Sequence, residues 1–235
     1  TVTATLNGAD YTCDLSSNTC TASITSAALK ALTDGNSYTF SVAVSDTAGN
    51  AATANTAESF TYDVTAPTST TAVESVDGTG NANDADVVTI TLDPSETVGT
   101  PTCTFTDGDG AMEDTTVEYA TTGDDSHTAK VTVHNDDDDG AVGFSCTYAD
   151  LAGNDIASAI TVATSGAVEI DNTHPSISSV TFDSGDYVNN AEDESAIDLV
   201  IVTSGAEDTE TVTATLNGAD YTCDLSSNTC TASIT

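Results

Sequence analysis

The 235-residue chain has no tryptophan, one methionine, four prolines and two basic residues, Lys30 and Lys130. Aromatic residues make up 5% of it, which argues against a stacking face for sugars. Lys and Arg are so few against 38 Asp and Glu that the net charge is −36. Such a chain repels nucleic acid and anionic membrane surfaces. No apolar run approaches the roughly 18 residues needed to span a bilayer. No signal peptide is recognisable, as expected of an internal stretch of a longer polypeptide. No Asn-x-Ser/Thr sequon occurs, so N-linked glycans of that type are not expected. The signatures Gly-x-Ser-x-Gly, His-Glu-x-x-His and the phosphate loop are all missing. His127 and His134 fall on one predicted strand at an odd spacing, so they face opposite sides, and His174 sits in a linker. These absences point to a protein that is not an enzyme.

What is present is repetition. The stretch TVTATLNGADYTCDLSSNTCTASIT fills Thr1–Thr25 and recurs without a substitution at Thr211–Thr235, an offset of 210 residues. The simplest reading is one unit of a tandem array plus a short overlap into the next. A second, diverged repeat lies inside the unit. Asp46-Thr-Ala-Gly-Asn50 returns as Asp150-Leu-Ala-Gly-Asn154, and Asp63-Val-Thr-Ala-Pro67 returns as Asp171-Asn-Thr-His-Pro175. The array is therefore expected to alternate two related modules. Residues 1–66 are the C-terminal part of module A, 67–174 a complete module B, and 175–235 the N-terminal part of the next A.

Alternation of apolar and polar residues predicts strands throughout. In region A these are Thr1–Leu6, Tyr11–Asp14, Thr19–Ile24, Ser37–Ser45 and Ala57–Asp63, with one helical turn in Ser26–Leu32. In B they are Ala72–Val76, Val87–Leu92, Thr102–Thr106, Thr115–Ala120, Thr128–Val133, Val142–Ala149 and Ala159–Ile170. Ile177–Phe182 and Ala196–Val202 open the next A. Short strands at this spacing, joined by Gly, Asp and Asn, predict an all-β protein of immunoglobulin-like β-sandwich modules joined end to end.

The run from Ala28-Leu-Lys-Ala-Leu-Thr-Asp-Gly35 through Asp46-Thr-Ala-Gly-Asn50 to Tyr62-Asp63-Val-Thr-Ala-Pro67 resembles the bacterial Ig-like tandem repeats of giant secreted surface adhesins. The resemblance is close in these motifs and loose over the rest of both modules. It implies a secreted, non-enzymatic, often Ca²⁺-stiffened array. The cysteines depart from the usual cysteine-free repeat of that family.

Six cysteines, an even number in a strand-rich chain, read as disulfides made in an oxidising compartment. Cys103 and Cys146 fall on the third and sixth strands of B, neighbours in one sheet of the seven-strand topology. Aligning the two Ala-Gly-Asn turns sets Cys146 opposite Val42, so Cys13 needs another partner, and Cys20 lies across a hairpin. The expected pairs are Cys13–Cys20, its copy Cys223–Cys230, and Cys103–Cys146. A zinc site is disfavoured because no Cys-x-x-Cys occurs.

The acid excess has two readings, a solvated coat suited to a salty medium and a set of divalent-cation sites. Ca²⁺ takes about six to eight oxygens from Asp, Glu, Asn and carbonyls. Three places concentrate such groups. The post-strand turns offer Asp46 with Asn50 and Asp150 with Asn154. The exits offer Asp63 and Asp171. The first loops offer Asp77, Asp84 and Asp86 in B and Asp183, Asp186, Glu192 and Asp193 in the next A. Turn, exit and the following module's first loop are expected to converge at a joint, where a bound ion would relieve repulsion and fix the angle. The competing reading of each turn is an Asp that caps its own backbone.

The expectation is thus an extracellular filament, stalk or adhesin shaft. Its partners would be neighbouring copies of the repeat and, through residues beyond these, a host or biofilm surface. The alternatives are a surface-layer or pilus-like filament made by strand exchange and, less favoured, a sugar- or ice-binding module.

Overall fold

The computed structural model describes residues 1–53, 58–75, 80–123, 125–183, 188 and 196–235. The chain divides into two compact units, Thr1–Ile170 and Asp171–Thr235. Both are built of β-strands, and α1 (Ser26–Leu29) is the one helix among the described residues. Thr25 starts it, its hydroxyl accepting the Ala28 N–H at 3.2 Å.

Within the first unit the sheets keep regions A and B apart. In A, β1 (Val2–Leu6) lies between β2 (Ala9–Cys13) and β4 (Ser41–Val44), antiparallel to both. Asn7-Gly8 turns β1 into β2 with both residues at positive φ, 48° and 78°, as a two-residue hairpin requires. A separate pair joins β3 (Asn36–Thr39) to β5 (Ser59–Tyr62). The single strand predicted over Ser37–Ser45 is therefore two. It breaks at Phe40, whose N–H bonds the Glu58 carbonyl at 3.0 Å, and the chain changes sheet there. The rings of Tyr38 and Phe40 both lie against Phe60, with centroids 6.0 and 5.6 Å away.

Region B holds β6 (Ser69–Ser75), β7 (Asn81–Ala82), β8 (Val87–Pro94), β9 (Thr102–Thr106), β10 (Glu118–Thr122), β11 (Ser126–Thr132), β12 (Gly140–Ala141), β13 (Gly143–Thr147) and β14 (Glu169–Ile170). One sheet runs β10-β11-β8-β6, and β9 pairs with β13 in a second. Alternate residues of both face a common core. Val88, Ile90 and Leu92 come from β8, Ala129 and Val131 from β11, Cys103 and Phe105 from β9, and Phe144 and Cys146 from β13. This is a sandwich, each large apolar side chain contributing about 1.5–3 kcal/mol of burial. Smaller sheet pieces, β12-β14-β7, pack Ile170 and Ala82 into the same core.

The long last strand predicted for B is broken up. Ile160 bridges Cys146, Ser165 lies parallel to Ala72, and Glu169–Ile170 alone forms a strand. Gly166 explains the close approach to β6. Its φ is +78°, and a Cβ there would run into the Val73 carbonyl.

The second unit contains β15 (Ser176–Phe182), β16 (Ile197–Ser204), β17 (Thr211–Leu216), β18 (Ala219–Asp224) and β19 (Thr229–Ile234). Its sheets run β15-β16-β19 and β17-β18. The core is small, with Ile201, Leu225 and Cys230 buried, while Ile177 and Val180 stand exposed.

The disulfides are Cys13–Cys20, Cys103–Cys146 and Cys223–Cys230, and no cysteine is free. Cys103 and Cys146 lie directly opposite on β9 and β13, with Cα atoms 4.1 Å apart. The N–H and C=O of Cys146 point the other way, to Ile160, so this is a non-hydrogen-bonded pair, where antiparallel strands approach most closely. On the outer edge of β9 the Tyr119 hydroxyl accepts the Cys103 N–H at 2.8 Å.

Candidate metal centre between regions A and B

The Asp-x-Ala-Gly-Asn turns are built alike. In the first, Asp46 Oδ1 accepts the N–H groups of Ala48 and Asn50 at 2.9 and 2.8 Å, and Oδ2 accepts Asn50 Nδ2 at 2.8 Å. In the second, Asp150 takes the N–H and the Nδ2 of Asn154, both at 2.8 Å. Each Asp therefore caps its own turn. The Asn50 side chain, first among the causes, holds the Asp46 carboxyl below its ordinary range. At Asp150 desolvation pushes upward, but the bonds from Asn154, Gly153 and Ala152 outweigh it and the net shift is down. Both carboxylates stay ionised.

The two turns differ in what surrounds them. Asp46 is exposed, whereas Asp150 is 6% exposed and stands against the exit of region A. Asn154 Nδ2 reaches the Asp63 carbonyl at 3.2 Å. Oxygens of Asp63, Glu96 and Asp150 all lie within 4.8 Å of one another. Asp34 fixes the approach, since its carboxylate accepts the Val64 N–H at 2.8 Å and the Thr65 hydroxyl. Glu96 follows the end of β8. Desolvation first, then the charges of Asp63, Asp150 and Asp34, push its pKa above the ordinary carboxylate value.

Glu96 and Asp34 carry no signal in the sequence that separates them from other loop acids. Of the first loop of B, the described acids Asp84 and Asp86 lie away from this place. Asp84 Oδ1 accepts the Asn135 N–H at 3.0 Å and Asp86 Oδ2 the Asn83 N–H at 2.9 Å. Both precede β8, whose eight residues separate them from Glu96 by ~25 Å. Asp46 is also elsewhere. It is not among the carboxylates gathered with Asp63. Among the described residues, the exit of A meets the turn of B and Glu96.

Asp171 repeats the local structure of Asp63, accepting the Thr173 N–H at 3.1 Å where Asp63 accepts that of Thr65 at 3.2 Å. Asp183 is exposed at the end of β15. Asp77, Asp186, Glu192 and Asp193 lie outside the described residues.

Three carboxylates and no nitrogen or sulfur make a hard-oxygen donor set, suited to Ca²⁺ and not to zinc. The pKa of Glu96 is raised by desolvation first and then by repulsion from Asp63, Asp150 and Asp34, which a cation would relieve. No helix among the described residues is long and apolar enough to cross a membrane.

No protein-family model matches the chain, and no curated protein matches it. Three solved structures are similar to it over 99% of its length. One is described as a Ca²⁺-stabilised adhesin with which an Antarctic bacterium reaches out and binds ice, with 21% identity and a TM-score of 0.48. The chain spans 56% of the length of that structure. Another, of a 1.5-MDa bacterial ice-binding adhesin, has 20% identity and a TM-score of 0.49, with 74% of it covered. The third is a tetra-tandem repeat from the extending region of a large adhesion protein, with 17% identity, a TM-score of 0.37 and 57% covered.

Proposed function

We propose that the chain is a repeat region of an extracellular filament, stalk or adhesin shaft, a spacer of immunoglobulin-like modules stiffened by Ca²⁺ at its joints. The observation that carries this reading is the unchanged 25-residue stretch at a 210-residue offset. Serial near-identical copies make length. The strand order of region B supports the module assignment. The sheet β10-β11-β8-β6 and the pair β9–β13 follow the D-E-B-A and C-F neighbours of a seven-strand immunoglobulin sandwich. Disulfides inside the modules fit an oxidising, extracellular setting.

At the joint Asp63, Glu96 and Asp150 would hold the ion. Asn154 orients Asp150, and Asp34 holds the exit strand in place. The ion supplies charge neutralisation. Like charges this close repel one another, and three converge here. Relieving them fixes the two modules against each other. Pro67, buried at the linker, further restricts the backbone.

The test is calorimetric titration of the chain with Ca²⁺, with scattering in Ca²⁺ and in chelator. Binding that is lost in Asp150→Asn and Glu96→Gln, with a narrower distribution of end-to-end dimensions in Ca²⁺, is the expected result. No binding heat and identical scattering curves would overturn the calcium reading.

A further inference from the structure

One sequence in two settings exposes an unfilled edge. In the first copy β1 is a central strand, with β2 on one side and β4 on the other. In the second copy β17 has the same sequence and pairs with β18 in the same register, Val212↔Cys223 matching Val2↔Cys13. Among the described residues no strand lies on its other edge. The side chains agree. Leu6 is 2% exposed, and its twin Leu216 is 52% exposed.

We propose that the open edge of β17, with the Leu216 face beside it, is the docking surface for a second copy of residues 26–66. That copy would be joined after Thr235 as Ser26 is joined after Thr25. The strand Ser41–Val44 of that copy pairs antiparallel with β17 in the register Val212↔Val44, Thr213↔Ala43, Ala214↔Val42 and Thr215↔Ser41, carried over from β1 and β4. The occupant follows from identity. The edge offered by Thr211–Leu216 is chemically that of Thr1–Leu6, and the strand that pairs with Val2–Thr5 is in the same structure. The second unit also supplies what the first copy lacks. Its β19 pairs with β16, whereas Thr19–Ile24 forms no strand. A 26–66 segment docked here completes a sandwich whose first strands are β15 and β16. The inference rests on the tandem-module reading and names the surface on which consecutive copies meet.

The experiment extends the full chain at its C-terminus with a second copy of residues 26–66 and compares it with a chain carrying the same residues scrambled. Both are melted in chelator, so that the result is independent of Ca²⁺ at Asp63, Glu96 and Asp150. Leu216→Ala is made in the 235-residue chain and in both extended chains. It is expected to leave the melting of the 235-residue and scrambled chains unchanged. In the true extension it lowers the midpoint of the second unit by at least about 4 °C, and that extension sediments as a monomer. A silent Leu216→Ala in the true extension, or melting no higher than the scrambled control, overturns the inference even if Ca²⁺ binding at the A–B joint is intact. Sedimentation as a dimer overturns the same-chain occupant.

Discussion

The two copies of the 25-residue stretch share every atom of covalent structure and differ in fold. Leu6 is buried and Leu216 exposed, while Leu225 is 3% exposed and its twin Leu15 is 50% exposed. The asymmetry is complementary. Residues that follow the first copy cover its start, through β4, and residues that precede the second copy cover its end, through β16. The hairpins β1–β2 and β17–β18 form in both, because the Asn-Gly turn and its register are local. The lesson is that the turn chemistry of this stretch is autonomous and the pairing of its outer edges is not.

The largest test of that contrast is truncation of the leucines. Leu6→Ala is expected to cost about 2–5 kcal/mol, and Leu216→Ala no more than about 0.5 kcal/mol. Leu225→Ala and Leu15→Ala should show the reverse order, with chemical denaturation resolving each unit. Replacing both cysteines of one hairpin by Ser should cost roughly 2–3 kcal/mol by loop entropy. The loss should be larger for Cys223–Cys230, because Cys230 is a core residue of β19. Thr25→Ala removes the helix cap and is expected to cost about 1 kcal/mol or less.

The smallest effect is in the acid titration, and it separates the joint from the turns. Glu96 has a raised folded pKa. Its contribution to stability is therefore fully present below the ordinary value of 4.5 and is lost as pH rises through the raised one. Asp46 and Asp150 are lowered from 3.8. Their contributions are present above 3.8 and are lost as pH falls through the lower folded values. In chelator the melting midpoint of the first unit should climb slightly as pH drops from neutral toward 5, then fall below pH 4. Glu96→Gln should abolish the climb and leave the fall. A flat profile in the unaltered chain would remove the argument for strain at the joint.

Much of this was readable from residues alone, for physical reasons that can be named. The strands β8, β9 and β11 alternate inward and outward residues, as in Val88, Ile90 and Leu92, so their faces were legible. The cysteine pairs followed from strand neighbourhood and loop length. The break at Phe40 was not legible, because Tyr38, Phe40, Val42 and Val44 keep the period of one strand while the chain changes sheet beneath them. The fate of Thr19–Ile24 was not legible either, since the same residues become a strand at Thr229–Ile234 only where β16 provides an edge. At the joint, Asp63, Asp150 and Asn154 were named in advance because they sit in repeated motifs. Glu96 sits in no motif and is brought in by the length of β8, and the loop at Asp84 is carried away by that same length.

The bridge between Cys103 and Cys146 has a mechanical meaning for a polypeptide anchored at one end and loaded at the other. The two cysteines are 43 residues apart in sequence, so if region B gives way under tension, that loop is locked out of the load path. It withholds roughly 140 Å of slack, at about 3.4 Å per extended residue. In the proposed shaft, each such region would then yield by only part of its contour length.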